Sequence, residues 1–362
     1  MSRRRSAVPD RVRNRVERAR MTRMHREIHA DPHAPEVRLA DERRTRRLLL
    51  IGIVVLAVLT ATTVVTGVIR SGSSDDTSPR TRGPWRDQAV LGTPRDDFGS
   101  VVVGGRIWAI GGMTGERGNL LDSVEVYDPR GDAWSEGPSL PEARSSVGAA
   151  AVGGVIYTMG GLRPPTRVTG TAAALDTGSR TWTRLPDLPT PRYELAAVAV
   201  GDRVYAIGGD DGDGPSTAVE ILDTRTGTWS KGPDLPQAKS SLRAVALDGR
   251  IYAVGGITAD LETRDVQVLD PATGRWTKGP DLPGPLANFG LGTYDGRVHA
   301  LHHGDHWTYR PSDDRWQEAP PMPTSRHGQG VATVSGRLYV MGGCSPQPLR
   351  DVNVVESYRV AT

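Results

Sequence analysis

The chain has 362 residues, a formal net charge of +3 and a single cysteine, Cys344. A lone cysteine excludes internal disulfides, so burial and hydrogen bonding must hold any fold. The small net charge hides a segregation: residues 1–47 carry fifteen arginines against seven acids, residues 70–83 sum to +1, and residues 84–362 sum to −6.

In chain order, residues 1–47 read as a basic arm, with a helix expected around residues 10–30. Such an arm sets topology and is drawn to anionic lipid; no nucleic-acid partner is expected. His25 and His29 stand at a helix-face ligand spacing, but no third ligand accompanies them. Residues 48–69 contain no charge. As a helix they would extend ~33 Å, enough for a bilayer core, so one transmembrane helix is predicted, with the membrane as a partner of residues 48–69. Arg43, Arg44, Arg46 and Arg47 abut that stretch. They predict a single-pass cell-membrane protein with its N-terminus cytoplasmic and residues 84–362 outside. The rival is a cleaved signal: Thr45 to Leu50 loosely resembles a twin-arginine export signal, although no clear Ala-x-Ala site follows. Residues 70–83 are rich in Ser, Thr, Asp, Pro and Gly and read as a flexible linker.

From residue 84 the chain repeats. Trp85, Trp134, Trp182, Trp229, Trp276 and Trp316 each stand 26 residues before a paired mark. The mark is Gly-Gly at Gly111, Gly160, Gly208, Gly255 and Gly342, and His302-His303 in the fifth copy. A fixed internal period sets the architecture before any single residue is read. Seven residues before each mark lies a two-residue turn, such as Gly104-Gly105 or Asp248-Gly249, flanked by apolar, β-prone residues; these predict tight hairpins. A third strand follows the mark, and a fourth begins at the tryptophan. The last copy has no tryptophan after its third strand, so the strand at residues 84–90 is predicted to complete it and close a ring. The fifth copy is shortened, with 13 residues from His303 to Trp316 where the others have 20 to 22.

This pattern of hairpin turn, aromatic, Gly-Gly, Asp step and tryptophan resembles the kelch repeat over residues 84–362. The resemblance implies an all-β, six-bladed kelch β-propeller, closed by an N-terminal strand, with a central channel and a ligand face built from loops. It implies a binding or scaffolding module whose partner is a protein or an acidic glycan. The alternative is a carbohydrate-active propeller enzyme, mutarotase-like or metal-dependent oxidase-like. No Tyr–Cys arrangement of a copper-radical oxidase maps onto Cys344, and no acid/base pair can be assigned. The 42 arginines against 3 lysines fit a GC-rich genome and make a bacterial source the expectation.

Sixteen residues before each mark stand Arg95, Arg144, Arg192, Lys239, Leu286 and Arg326. Two readings are open. These cations anchor neighbouring loops, or they form a partial ring near the channel that takes carboxylate, sulfate or phosphate. Where kelch domains bind acidic peptides, such arginines often serve. Tyr193, Asn288 and His327 would complete that site, with Asp96, Asp97, Ser145, Glu194 and Ser240 beside them. His302, His303 and His306, with His299, form an unusual histidine group and a candidate transition-metal site, although His299 occupies an aromatic core position. Asp210, Asp211 and Asp213 could hold Ca²⁺ but lack the EF-hand spacing. The expectation is no cofactor. Glu125, Glu220 and Glu356 share one repeat position, which argues for a structural role. Cys344 is expected to be a small core residue.

Overall fold

The computed structural model describes residues 81–360 apart from 116–117, 260 and 347. The basic arm, residues 48–69 and most of the linker lie outside the described residues. Among the described residues no helix is long and apolar enough to cross a membrane.

The described chain is a six-bladed, all-β propeller. Blade one is built from Gly99–Val103, Arg106–Ile110, Val124–Asp128 and Ala133–Glu136, in that order from the axis outward. Blades two to five repeat the order, beginning at Gly148, Ala196, Arg243 and Gly290. Blade six takes three strands from the C-terminal end, Gly330–Val334, Arg337–Met341 and Val355–Tyr358. Its fourth is the N-terminal strand Trp85–Asp87, paired Trp85 to Tyr358. The predicted closure is thus present, with Thr81–Arg82 doubling back on its outer edge.

The 26-residue spacing has a physical cause. Each tryptophan indole donates to a backbone carbonyl of the preceding blade: Trp134 to Ala89, Trp182 to Pro138, Trp229 to Pro186, Trp276 to Pro233, Trp316 to Pro280 and Trp85 to Pro320, at 2.8 to 3.1 Å. The Gly-Gly mark makes the second link. A Cβ on Gly160 would lie 2.4 Å from the Arg192 carbonyl of the next blade. At that same carbonyl the amide of Gly161 donates at 2.8 Å. Only glycine fits so close an approach at positive φ. Blade five manages without it. His302 ends the second strand as an ordinary strand residue, and the His303 amide still reaches the Arg326 carbonyl at 3.0 Å.

Candidate functional site

One end of the propeller carries two kinds of loop. The first are the hairpins after each mark. The second are the connections from each outer strand to the next blade's inner strand. Within a blade the two are bridged: Asp96 to Met113, Ser145 to Leu162, Tyr193 to Asp210, Ser240 to Ile257 and His327 to Cys344. Blade five has no such hairpin, because its chain turns directly from Arg297–His302 into Asp305–Arg310. This leaves a notch in the rim between the blade-four and blade-six hairpins.

The five cations of the repeat do not form the ring open to ligand that one sequence reading allowed. Arg95, Arg144, Arg192, Lys239 and Arg326 are each fully buried inside their own blades. Arg192 pairs with Glu220 at 2.7 Å, and Arg326 with Glu356 at 3.0 Å. Arg95 pairs with Glu125, and Lys239 with Asp265. Thr190 and Thr324 donate to the same carboxylates, and the amide of Thr93 does so in blade one. Blade two has Ala173 at the glutamate position, and Arg144 donates to the carbonyls of Thr171 and Gly160. Blade five replaces cation and acid together, by Leu286 and Trp307 in one apolar cluster. A guanidinium without exposure reaches no ligand at the loops, so these residues serve the blades.

The histidines separate as well. His303 Nε2 and His327 Nδ1 are 2.8 Å apart, and His302 stacks on His303 at 4.0 Å. His306 instead meets His299 at 2.8 Å and the Pro320 carbonyl at 3.0 Å, packed against Trp85 of the closing strand. The structure therefore does not bring His302, His303 and His306 to one metal centre. In the acidic loop, Asp210 and Asp211 accept amide hydrogens of the loop itself, from Gly212 and from Asp213 and Gly214.

What surrounds the channel is a second ring, two residues beyond the cations. Asp97, Ser146, Glu194, Ser241, Asn288 and Gly328 all adopt the left-handed conformation, φ 47° to 65°. Each amide donates to the carbonyl of its counterpart in the preceding blade: Asp97 to Gly328, Ser146 to Asp97, Glu194 to Ser146, Ser241 to Glu194, Asn288 to Ser241 and Gly328 to Asn288. Six hydrogen bonds of 2.7 to 3.2 Å thus close a circle through every blade. With those backbone groups engaged, the side chains set the mouth's chemistry. Ser241 donates to Glu194, and Arg243 reaches the Asn288 side chain at 2.9 Å and the Phe289 carbonyl at 3.1 Å. Burial pushes the Glu194 carboxyl up to about 7, with Asp97 and Asp210 adding to it and Ser241 and Arg243 opposing. Asn288 is therefore at the mouth. Tyr193 and His327 are buried within the connections, where they bridge to Asp210 and Cys344.

Arg243 is the residue that sequence reasoning missed. Its repeat equivalents on the innermost strand are Gly99, Gly148, Ala196, Gly290 and Gly330, so one arginine stands in a column of glycine and alanine. That contrast was the available signal. Arg243 lines the channel cavity of about 110 Å³ together with Phe98, Ser100, Ala197 and Gln329.

Comparison with known proteins agrees with this geometry. Residues 97–286 match the family model described as "KLHDC2/KLHL20/DRC7 Kelch-repeats domain", and residues 325–362 match "Kelch motif". An F-box/kelch-repeat protein of Arabidopsis thaliana, At1g16250, is 37% identical over 57 residues, covering 16% of this chain and 15% of the relative. A second, At1g22040, is 46% identical over 65 residues, covering 17% and 14%. Kelch-like protein 22 of Homo sapiens is 33% identical over 67 residues, covering 18% and 11%. Each match thus spans well under two thirds of the relative. The blades, their glycine marks and the family match covering more than half of the chain together show that it belongs to the kelch-repeat family.

Proposed function

We propose that this chain is a membrane-anchored propeller, displayed outside the cytoplasm, that binds a protein partner through the loop-bearing end. Kelch propellers are generally protein-interaction modules, and that is the base of the reading. The observation that carries it to a particular surface is the exposure of Leu261 (74%) and Leu349 (46%) on the blade-four and blade-six hairpins, either side of the blade-five notch. Large apolar side chains held out beside a concave rim, with a polar mouth next to them, fit a protein interface. The acidic-glycan expectation rested on the five cations, and their burial removes its support. The channel cavity of about 110 Å³ is short of the ~300–1,000 Å³ of small-molecule sites, which disfavours the mutarotase-like and oxidase-like alternatives. The anchor reading rests on the uncharged residues 48–69 and the arginines before them.

Two measurements test this. Crosslinking in intact cells should capture the same partner with the wild-type chain and lose it with Leu261→Asp combined with Leu349→Asp, at unchanged Tm. Undiminished capture by that variant refutes the assigned surface. Protease added outside intact cells should degrade the propeller while sparing an epitope tag at the N-terminus; a protected propeller refutes the orientation.

A further inference from the structure

The seam between blade six and blade one carries a group of side chains that neither the propeller fold nor the binding face requires. Asp96 lies on the connection into blade one. Cys344 and Asp351 lie on the two strands of the blade-six hairpin, Cys344–Pro346 and Leu349–Asp351, and are paired with each other. One ligand atom from each of the three lies within 4.8 Å of those of the other two. Asp96 is fully buried, and its carboxylate meets only the Asp351 carboxyl and its own backbone amide; neither oxygen has a donor at good hydrogen-bond geometry among the described residues. A buried carboxylate without a donor is costly. Asp97 and Asp351 raise that cost by adding negative charge beside it. Nothing in the repeat asks for the arrangement: the residues equivalent to Asp96 are Ser145, Tyr193, Ser240, Ala287 and His327, and those equivalent to Cys344 include Met113, Leu162 and Ile257. What the group lacks is a positive charge.

We propose that Asp96, Cys344 and Asp351 bind one divalent metal ion of the zinc type, clamping the last blade to the first. A thiolate with two carboxylates suits Zn²⁺ or Co²⁺ and not the all-oxygen preference of Ca²⁺ or Mg²⁺. Metal-to-ligand bonds of about 2.0–2.3 Å require ligand atoms about 3.3–3.8 Å apart in a tetrahedron, so the site draws together on binding by no more than about 1.5 Å. Cys344 would bind as the thiolate, releasing its proton to solvent. Three protein ligands leave a fourth tetrahedral position, on the side of the partly exposed Asp351, for water or a partner's side chain. The Asp351 carboxylate also accepts the Gly115 amide from the blade-one hairpin at 2.6 Å, a contact that orients it as outer-shell hydrogen bonds orient metal ligands.

Cys344 is the only cysteine of the chain, so any thiolate-to-cobalt charge-transfer absorption reports this site alone. The full-length chain, purified in detergent with Cys344 reduced and stripped of metal, should develop that near-ultraviolet band on titration with Co²⁺. The band should saturate at one equivalent and vanish when Zn²⁺ is added. Cys344→Ser should abolish it, and Asp96→Asn and Asp351→Asn should weaken Co²⁺ binding about tenfold or more. Asp96→Asn keeps the shape of the buried side chain, so that variant is expected to fold; its circular dichroism and Tm in the absence of metal check this. Zn²⁺ should raise the Tm of the wild type and not of the variants. A folded, reduced wild-type chain that shows no band overturns the proposal, as does a band of unchanged affinity in both aspartate variants.

Discussion

Replacing Glu220 by alanine strips the carboxylate from a guanidinium with no exposure to water. Arg192 would keep its hydrogen bonds to the carbonyls of Gly208 at 2.6 Å and Thr190 at 3.0 Å, but lose the ion pair at 2.7 Å. The Thr190 hydroxyl would lose its acceptor at 2.7 Å as well. Breaking a buried pair by removing one partner costs about 3–5 kcal/mol. Blade two argues for the lower end, since Arg144 lies opposite Ala173 and is held by carbonyls alone. A loss of about 3 kcal/mol in a domain of this size corresponds to a fall in Tm of roughly 6–12 °C. The companion variant is Arg192→Leu combined with Glu220→Leu, which imitates the apolar Leu286 and Trp307 of blade five. It should recover more than half of the loss, because well-packed apolar pairs replace buried ion pairs at little cost. Equilibrium urea unfolding and calorimetry of the three proteins measure both effects. A loss under ~1 kcal/mol in the single variant, within the range of an exposed pair, would refute the account of these residues as internal clamps. So would a double variant no more stable than the single.

At the channel mouth, Glu194 has its folded pKa raised from 4.5 to about 7. The native state therefore keeps a proton that the unfolded chain has released between those values, and stability falls as pH rises through that window. Glu194→Gln should flatten this fall and raise the Tm above pH 7, as read from thermal melts across pH; an unchanged pH profile contradicts the assignment. Gly160→Ala and Gly153→Ala compare a close approach with conformation alone. Both residues have φ near +60°, but only Gly160 meets a neighbouring blade's carbonyl, whereas Gly153 meets nothing within 4 Å. Gly153→Ala should cost about 1–2 kcal/mol and Gly160→Ala clearly more; equal losses by urea unfolding would count against the close-contact explanation. Among the six repeat tryptophans, Trp85 is buried to 2% exposure while the other five remain half-buried. Trp85→Ala should cost about 3–5 kcal/mol and exceed Trp229→Ala in the same assay.

The blades were legible because their marks report contacts between blades. The indole bond and the Gly-Gly approach recur at fixed spacing, so six aligned copies expose them. Closure by Trp85 followed from the same alignment. The Arg192–Glu220 clamp was half legible: both columns recur, but their spacing alone does not say that one partner meets the other inside the blade. Thr93, Thr190 and Thr324 sharpen the pattern, since threonine stands two residues before the cation in each blade that carries the glutamate. The mouth ring was harder to see, because Asp97, Ser146, Glu194, Ser241, Asn288 and Gly328 share a backbone conformation and not a side-chain type. Asp96, Cys344 and Asp351 left no spacing signal at all. They meet only because the first and last blades of a ring are neighbours.

The closing strand also decides how the molecule answers tension. Thr81–Arg82 folds back along Trp85 and Arg86 at the outer edge of blade six. A pull from the N-terminal side therefore reaches that edge first and works on its hydrogen bonds one after another, starting from the Thr81–Arg86 pair and arriving only afterwards at the turn that leads into Trp85. The other five blades are continuous in the chain and stay off the line of force. Trp85, packed on Tyr358 and tied to the Pro320 carbonyl, is the latch that has to slip before the circle opens.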